Sequence, residues 1–367
     1  MSAMYLLSFA LTFATCLALV VTQRWHGRLS IDSEFGVQKL HTSPTPRIGG
    51  VAIATGLVTA YGIAPDNVQD VLGPMVVAGI PAFVAGLIED LTKCVAVRVR
   101  LLATMASGIL AWAITGIAMQ DTGLWGLDYL LTSIPLAVAF TAFVVSGVAN
   151  ATNIIDGFNG LAGGVVVIML GAMSLIALQV QDQELVAVAS VLACIAIGFT
   201  VVNWPWGRLF MGDGGAYLLG FLVAWVAILL PMRHITITGW TTLMACAYPV
   251  LEVLFSIRRR IRREGHHPGQ PDKCHLHHFL HRRVIRRMFP SASRVLQNGL
   301  TGSLVWVLAA CPATWAIVFY DNTPALILGF LLASLGYAAL FARLTQFVWC
   351  FQAATMRRRR IGVRAPS

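Results

Sequence analysis

The chain has 367 residues, of which 57% are hydrophobic and only 11% are charged. A soluble domain carries about 25% charged residues, so this composition excludes an ordinary water-soluble fold and predicts a chain that lies largely in lipid. A net charge of +10 would be consistent with binding to nucleic acid. The distribution of the basic residues, described below, explains the charge without a nucleic-acid partner.

Apolar runs long enough to cross a hydrocarbon core, about 20 residues each, recur from end to end. We predict about eleven transmembrane helices, because a helix satisfies its own backbone hydrogen bonds in lipid. The roughly ten-residue alternation of a transmembrane barrel does not occur in the sequence, so the predicted fold class is all-α and polytopic. The predicted spans are residues 3–22, 47–64, 71–88, 100–119, 129–149, 161–179, 185–203, 213–231, 238–257, 298–320 and 324–345.

The basic residues predict the orientation of these spans. All 26 lysines and arginines except Arg233 fall on one side when the loops are assigned alternately to the two faces. The positive-inside rule then places the N-terminus outside and the C-terminus in the cytoplasm. We expect a single polytopic domain over residues 1–350 and a basic cytoplasmic tail over 351–367. The predicted active-site loops, all cytoplasmic, are residues 23–46, 89–100, 150–160, 204–213 and 258–297.

Two of these loops open and close early spans. Residues 41–50 (HTSPTPRIGG) hold two prolines that extend the chain and two glycines that allow close backbone approach; a plain entry into a helix explains them equally well. Residues 86–93 (GLIEDLTK) end a span with Glu89 and Asp90. Adjacent acids at a helix C-terminus oppose the macrodipole, so helix stability does not explain them and a functional role is favoured. The alternative is that the two acids lie at a solvated helix end and pair with nearby basic residues.

The stretch 150–164 (NATNIIDGFNGLAGG) clusters amides and an acid at the end of a span. Asn150, Asn153 and Asp156 recur at a spacing of three, so a continuing helix places them on one face. A turn follows at Asn159 and its flanking glycines. Turn chemistry alone explains the aligned polar groups poorly, and polar residues at such a depth usually face a cavity.

Residues 203–220 (NWPWGRLFMGDGGAYLLG) place Asp213 among glycines where a span begins. Such a helix start suits phosphate, with an N-cap aspartate as the alternative. The 258–297 loop is rich in arginine and contains six of the nine histidines. A basic loop on anionic lipid explains the arginines, whereas phosphate binding explains both residue types. The six are His266, His267, His275, His277, His278 and His281.

The loops together indicate a reaction. Acids near neutral amides can hold a hard divalent cation through oxygen, and the arginines and histidines opposite would bind the phosphates that such a cation bridges. We therefore predict metal-assisted phosphoryl transfer at a membrane surface, with a lipid as one substrate. A polytopic transporter is the alternative class; Glu252, inside the ninth predicted span, favours it, while the position of the other acids at span ends argues against it.

The motifs PTPRIGG, GLIEDLTK, NATNIIDGFNG, LFMGDGGAYLLG and PDKCHLHH resemble, in this order, those of the polyprenyl-phosphate N-acetylhexosamine-1-phosphate transferases. This family includes the enzymes that initiate enterobacterial common antigen and O-antigen and, more distantly, phospho-muramoyl-pentapeptide transferase. The resemblance covers nearly the whole chain. It implies transfer of a HexNAc-1-phosphate, most commonly GlcNAc-1-phosphate, from a UDP-sugar to undecaprenyl phosphate with release of UMP, with the muramoyl-pentapeptide substrate as the alternative.

The resemblance also implies partners and roles. It implies a bacterial cytoplasmic (inner) membrane location, an active site that faces the cytoplasm, Mg²⁺ as cofactor with Mn²⁺ as an alternative, and room for a homodimer. Asp213 matches the metal-binding acid, with Asn153 as its companion. The expected catalytic residues are Glu89, Asp90 and Asp156. The expected substrate-binding residues are Asn150, Asn159, His275, His277, His278 and Arg47.

Two positions depart from the family pattern. Glu89 stands where the acidic pair usually has aspartate, and Asn159 stands where a second acid often follows Asp156. A longer carboxylate can still accept a hydrogen bond from an arginine or from the water on a cation. Because Asn159 cannot act as a nucleophile in that way, we favour direct attack by the lipid phosphate over a covalent aspartyl-phosphate.

Overall fold

A computed structural model describes residues 1–32, 45–262 and 274–346. The described chain is helical, which confirms the all-α prediction, apart from one antiparallel pair of two-residue strands, β1 (Ile31–Asp32) and β2 (Thr45–Pro46). The helices are α1 (Ser2–Val21), α2 (Gln23–Ser30), α3 (Gly49–Ile63), α4 (Asp66–Ala78), α5 (Ile80–Thr92), α6 (Val97–Thr115), α7 (Trp125–Leu131), α8 (Ile134–Ile155), α9 (Leu161–Gln179), α10 (Gln183–Asn203), α11 (Gly212–Arg233), α12 (Gly239–Ala245), α13 (Ala247–Arg262), α14 (Leu276–Leu280), α15 (Arg286–Met288), α16 (Arg294–Val318) and α17 (Thr323–Gln346), with a π-helical turn (His281–Ile285) between α14 and α15.

The apolar helices identify a multi-pass membrane protein. Within the described residues, eight helices are long and apolar enough to cross a membrane, and two bent pairs raise the number to ten if each pair is one span. The pair α4–α5 bends by 43° and the pair α12–α13 by 84°. Each of the eleven predicted runs coincides with one of these helices or pairs or with the shorter helix α3. The count of eleven crossings and the orientation stay predictions.

Helix α11 lies at the centre of the protein. Of its most apolar 18-residue window, 94% is buried, against 17% for α17 at the periphery. Helices α3, α5, α8 and α9 pack around it. The surrounding protein thus takes the place that lipid has around an ordinary membrane span, and the start of α11 is enclosed by the ends of its neighbours.

Glycines allow two of these neighbours to touch the α11 backbone. A Cβ atom on Gly50, in the first turn of α3, would lie 2.3 Å from the amide nitrogen of Gly215. A Cβ atom on Gly86, in α5, would lie 2.5 Å from the amide nitrogen of Gly214. Neither position has room for a side chain, so the three helices meet backbone to backbone. This contact brings the polar ends of α3, α5 and α11 together.

Candidate active site at the start of helix α11

The segment that precedes α3 runs alongside the segment that precedes α11. The N–H groups of Gly49 and Gly50 donate hydrogen bonds to the carbonyl oxygens of Phe210 and Met211, each at 2.9 Å. These bonds align residues 45–50, the described part of the PTPRIGG motif, with the LFMGD motif. Two loops that are about 160 residues apart in the chain therefore form one wall of the site.

Asp90 binds the N-terminus of α11. Its two carboxylate oxygens accept hydrogen bonds from the backbone N–H groups of Asp213 (2.8 Å) and Gly214 (2.9 Å), and the residue is only 2% exposed. The Arg47 Nε atom lies 3.3 Å from Asp90 Oδ1. The first turn of a helix favours an anion, and at this helix the anion is a side chain of the protein itself.

The side chain of Asp213 points away from its own backbone into a cluster of donors. Arg47 and Arg100 each form an ion pair with one of its oxygens, and Asn153 Nδ2 donates to Oδ1 at 3.1 Å. Asp213 is 1% exposed, whereas a third of the Arg47 side chain is exposed. Two acids and two arginines thus form a compact group in which Arg47 contacts both acids and reaches the surface.

Helix α8 delivers two further predicted residues to this group. It continues to Ile155, six residues beyond the predicted span end, and carries Asn153 on its last turn. Asp156 ends the helix, its N–H bonded to the Asn153 carbonyl oxygen at 3.2 Å. Desolvation raises the Asp156 pKa to about 7; the positive charge of Arg47 opposes this rise and the negative charge of Asp213 adds to it. The Asp156 carboxyl can therefore hold or release a proton near neutral pH.

Two other predicted residues make their hydrogen bonds locally. Glu89 Oε2 accepts from the N–H of Val95 at 2.7 Å, which ties the loop after α5 to the end of that helix. Asn150 Nδ2 donates to the carbonyl oxygen of Ser146 at 2.8 Å, one turn back along α8. The structure places both residues beside the site, and the catalytic role of Glu89 and the substrate-binding role of Asn150 stay predictions.

Asn159 belongs to a network that supports the turn after α8. Its N–H donates to Asn298 Oδ1 at 2.6 Å, and its Nδ2 donates to the carbonyl oxygen of Pro205 at 2.9 Å. The neighbouring Gly160 N–H donates to Asn203 Oδ1. An amide suits this place because Nδ2 donates to a backbone carbonyl, which an ionised carboxylate cannot do. The departure from the family pattern at this position thus has a structural explanation.

The histidine motif packs against the same turn. The ring of Phe158 lies 5.6 Å from that of His277, 5.4 Å from that of His278 and 5.2 Å from that of His281, measured between centroids. His277 is 1% exposed, and its Nε2 atom lies 3.6 Å from the place that a Cβ on Gly157 would occupy. The motif and the Asn-rich loop, which are separate in the sequence, form one surface next to Asp156.

Glu252 in α13 anchors this motif. Its Oε1 atom lies 3.0 Å from His275 Nδ1 and accepts from the N–H of Leu276 at 2.9 Å. His277 Nδ1 lies 3.8 Å from Oε2, beyond hydrogen-bond distance. Burial lowers the pKa of His277 well below its usual value, with smaller contributions from two neighbouring histidines. His277 is therefore neutral at neutral pH. Glu252, the acid that favoured the transporter alternative, contacts the predicted site.

Arg100 and Glu252 were not among the predicted site residues. Both carried a signal in the sequence. Arg100, in the first turn of α6, follows the acidic pair closely in the chain. An intramembrane acid such as Glu252 needs a partner because its ionised form is costly in lipid. The sequence does not say which of several basic residues, or which distant motif, supplies the partner.

The residues around Asp213 fit a divalent cation of the Mg²⁺ type. Among residues 1–32, 45–262 and 274–346, no three His, Cys, Asp or Glu side chains lie close enough to hold a metal by themselves. Mg²⁺ is commonly bound by one or two carboxylates, with waters and substrate phosphates completing its coordination. Asp213 and Asp156 offer carboxylate oxygens and Asn153 an amide oxygen, so this donor set suits a cation that binds together with a diphosphate.

Comparison with known proteins finds similarity to one family of glycosyl transferases. Residues 72–231 match the family described as Glycosyl transferase family 4, a segment that contains Asp90, Asn153, Asp156 and Asp213. The undecaprenyl-phosphate alpha-N-acetylglucosaminyl 1-phosphate transferase of Yersinia pestis is 25% identical over 76% of this chain and 75% of its own length.

Relatives from other bacterial groups are equally similar. The probable undecaprenyl-phosphate N-acetylglucosaminyl 1-phosphate transferase of Bacillus subtilis is 27% identical over 66% of this chain and 67% of its own length. The decaprenyl-phosphate N-acetylglucosaminephosphotransferase of Mycobacterium leprae is 29% identical over 79% of this chain and 78% of its own length. The similarity therefore extends well beyond the segment that matches the family.

Proposed function

We propose that the chain is an enzyme of the glycosyl transferase family 4 type that transfers GlcNAc-1-phosphate from UDP-GlcNAc to undecaprenyl phosphate and releases UMP. The relatives in Yersinia, Bacillus and Mycobacterium carry names that specify N-acetylglucosamine and a polyprenyl phosphate, which favours this reaction over transfer of a muramoyl-pentapeptide. The product would be a lipid-linked sugar that starts a cell-envelope polysaccharide such as O-antigen.

The reaction that we propose is a single displacement. An oxygen of the lipid phosphate attacks the β-phosphorus of the UDP-sugar and forms a new P–O–P bond. The bond from the β-phosphorus to the bridging oxygen breaks, and UMP leaves with the electron pair. No carboxylate of the protein is phosphorylated, which agrees with an amide at Asn159. The main requirement on the protein is to hold two phosphate-bearing substrates in line and to neutralise their charge.

The observation that carries the proposal is the pairing of Asp213 with Arg47 and Arg100. Guanidinium groups that bind a carboxylate have the geometry to bind phosphate oxygens, and Arg47 is already exposed on one side. We assign Arg47 and Arg100 to the diphosphate, and Asp213 with Asn153 to Mg²⁺. When bound, Mg²⁺ would offset the negative charge on the diphosphate and on the departing UMP.

Asp156 and Asp90 take different roles in this proposal. Because its pKa is about 7, Asp156 can accept a proton from the lipid phosphate, whose second ionisation falls in the same range, and so leave the attacking oxygen fully charged. Asp90 fixes the start of α11 through two backbone N–H groups. This contact sets the position of Asp213, so Asp90 acts on the reaction indirectly, by positioning Asp213.

The finer topology belongs to the proposal as well. We place eleven crossings with the N-terminus outside, the site at the cytoplasmic face of the bacterial inner membrane, and a single catalytic domain over residues 1–350 with a tail over 351–367. The confinement of nearly all lysines and arginines to one set of loops supports this orientation. A homodimer is part of the proposal and is tested by the mass of the purified protein in detergent.

The test is a reconstituted assay. Purified protein, undecaprenyl phosphate and Mg²⁺ are offered a panel of UDP-sugars, and UMP release and lipid-linked sugar are both measured. We expect turnover with UDP-GlcNAc that a chelator abolishes. Asp213→Asn should lower turnover by at least about 100-fold, whereas the control Asp70→Asn, an exposed acid on α4, should not. Absence of turnover with every UDP-HexNAc in a monodisperse sample would overturn the proposal.

A further inference from the structure

Glu252 is an acid that lies wholly inside the protein. It is in α13, the second helix of the bent pair α12–α13, and is 0% exposed. A carboxylate in such a place is costly unless it is bonded on several sides. The reaction proposed above does not use it directly, so its presence requires a different explanation.

Glu252 makes hydrogen bonds to one short segment and to its own helix. Oε1 accepts from the N–H of Leu276, the first residue of α14, and lies 3.0 Å from His275 Nδ1. Oε2 accepts from the hydroxyl of Tyr248, one turn earlier in α13, at 3.3 Å. The carboxylate thus joins α13 to the point where the histidine motif begins.

This arrangement selects one tautomer of His275. Oε1 already accepts the Leu276 N–H, so it acts as an acceptor toward the imidazole too, and Nδ1 is the nitrogen that carries the proton. Carboxylates commonly fix the tautomer and orientation of an imidazole that takes part in catalysis or in ligand binding.

The same contact sets the position of the next histidine. His277 follows Leu276 within α14, its ring stacks on that of His275 at 5.3 Å with an interplanar angle of 5°, and it meets Phe158 two residues after Asp156. A shift of the start of α14 would therefore move the His277 ring relative to the turn that carries Asp156.

From these contacts, and resting on the function proposed above, we infer that Glu252 is a positioning residue for the transfer reaction. It holds the His275 ring in one tautomer and sets the distance between the histidine motif and the Asp156 turn. It acts through the length and acceptor geometry of its side chain. Its negative charge is not what the reaction requires, because it lies behind the histidines.

Three substitutions separate geometry from charge. Glu252→Gln keeps the length and one oxygen acceptor but removes the charge. Glu252→Asp keeps the charge but is one methylene shorter, so it cannot reach both His275 and Leu276 without movement of α14. Glu252→Ala removes both properties. Glu184→Gln, at a half-exposed acid that pairs with Arg233 at the far end of α11, is the matched control.

The kinetic readout is kcat and KM for UDP-GlcNAc with undecaprenyl phosphate. We expect kcat to fall by about 10- to 100-fold in Glu252→Ala, the range that loss of a group orienting an active-site ligand costs. Glu252→Gln should retain kcat within about threefold, and Glu252→Asp should lie between. The control should match the wild-type protein. If Asp retains more activity than Gln, charge is what matters and the inference is overturned.

Hydrogen exchange measured by mass spectrometry provides a second readout that needs no turnover. The Leu276 amide should exchange faster in Glu252→Ala and Glu252→Asp than in the wild-type protein, and at an unchanged rate in Glu252→Gln. Peptides from α11 should keep their protection in all variants. Unchanged exchange at Leu276 in both shortened variants would overturn the inference even if the wild-type protein has no transferase activity, whereas absence of wild-type turnover alone overturns only the proposed function. If Glu252→Ala does not fold, the Gln and Asp pair still decides.

Discussion

Replacement of Asp90 by asparagine tests whether this acid acts mainly by holding the start of α11. In the folded protein its two oxygens accept the N–H groups of Asp213 and Gly214. Asparagine has one carbonyl oxygen, so one N–H keeps an acceptor and the other faces the amide NH₂ group. The substitution therefore removes one charge-assisted hydrogen bond and leaves a buried donor without a partner.

The expected loss of stability follows from those two effects. A hydrogen bond to a charged group contributes about 1.5–3 kcal/mol, and a buried unsatisfied donor costs about 1–3 kcal/mol. The two figures describe the same lost contact and are not additive, so we expect about 2–3 kcal/mol. The ion pair with Arg47 adds little, because a third of that side chain is exposed to solvent.

Thermal unfolding in detergent at a fixed scan rate measures the effect. One kcal/mol shifts Tm by about 2–4 °C in soluble domains of 150–250 residues, so Asp90→Asn should lower the apparent Tm by at least about 4 °C. Glu89→Gln is the control, because the amide oxygen of glutamine can still accept from Val95. Hydrogen exchange should also rise at residues 213 and 214.

The refuting outcome is equally specific. If Asp90→Asn abolishes turnover while Tm and the exchange of residues 213 and 214 stay as in the wild-type protein, Asp90 acts on a substrate and does not anchor the helix. If Glu89→Gln destabilises the protein as much as Asp90→Asn, the two acids are equivalent and the assignment of the anchor to Asp90 is wrong.

Three further outcomes follow from single contacts. Arg100→Gln should lower turnover by about 100-fold or more, while Arg98→Gln, at an exposed residue, should not change it. Gly50→Ala should destabilise the protein by about 1–3 kcal/mol, because the new methyl group meets the α11 backbone; Gly62→Ala, which meets no atom within 4 Å, should be harmless. Burial and nearby arginines lower the His281 pKa to about 4, so between pH 6.5 and 4 the wild-type protein should lose about 3 kcal/mol more stability than a His281→Asn variant does. A thermal scan from pH 7.5 to 4 measures this, and a His281→Asn variant with the same acid sensitivity would contradict it.

The sequence predicted helices well and their geometry poorly. Hydropathy reports which residues avoid water, so the eleven apolar runs coincide with helical structure. Hydropathy does not report the direction of a helix axis. The 84° break between α12 and α13 lies within one continuous apolar run, so hydropathy does not detect it. That break matters because it turns α13, and with it Glu252, toward the histidine motif.

Spacing along a helix indicated faces but not partners. Asn150 and Asn153 were predicted to share a face, yet Asn150 bonds back to its own helix while Asn153 reaches Asp213. Glu89 and Asp90 were predicted as a pair, but consecutive helical residues point about 100° apart. Only Asp90 faces α11. The hydrogen bonds of these residues depend on which helix lies opposite, and that is decided by packing elsewhere in the chain.

The position of α11 has a consequence for how the protein tolerates sequence change. A span that faces lipid needs only apolar side chains. Helix α17, with 17% of its apolar window buried, should therefore accept almost any exchange among Leu, Ile, Val and Phe. Helix α11 faces neighbouring helices on all sides, and each of its positions is a space of fixed volume. In a saturation library scored for function, α17 should therefore reject residues by polarity, while α11 should reject them by size, even among residues of equal hydropathy.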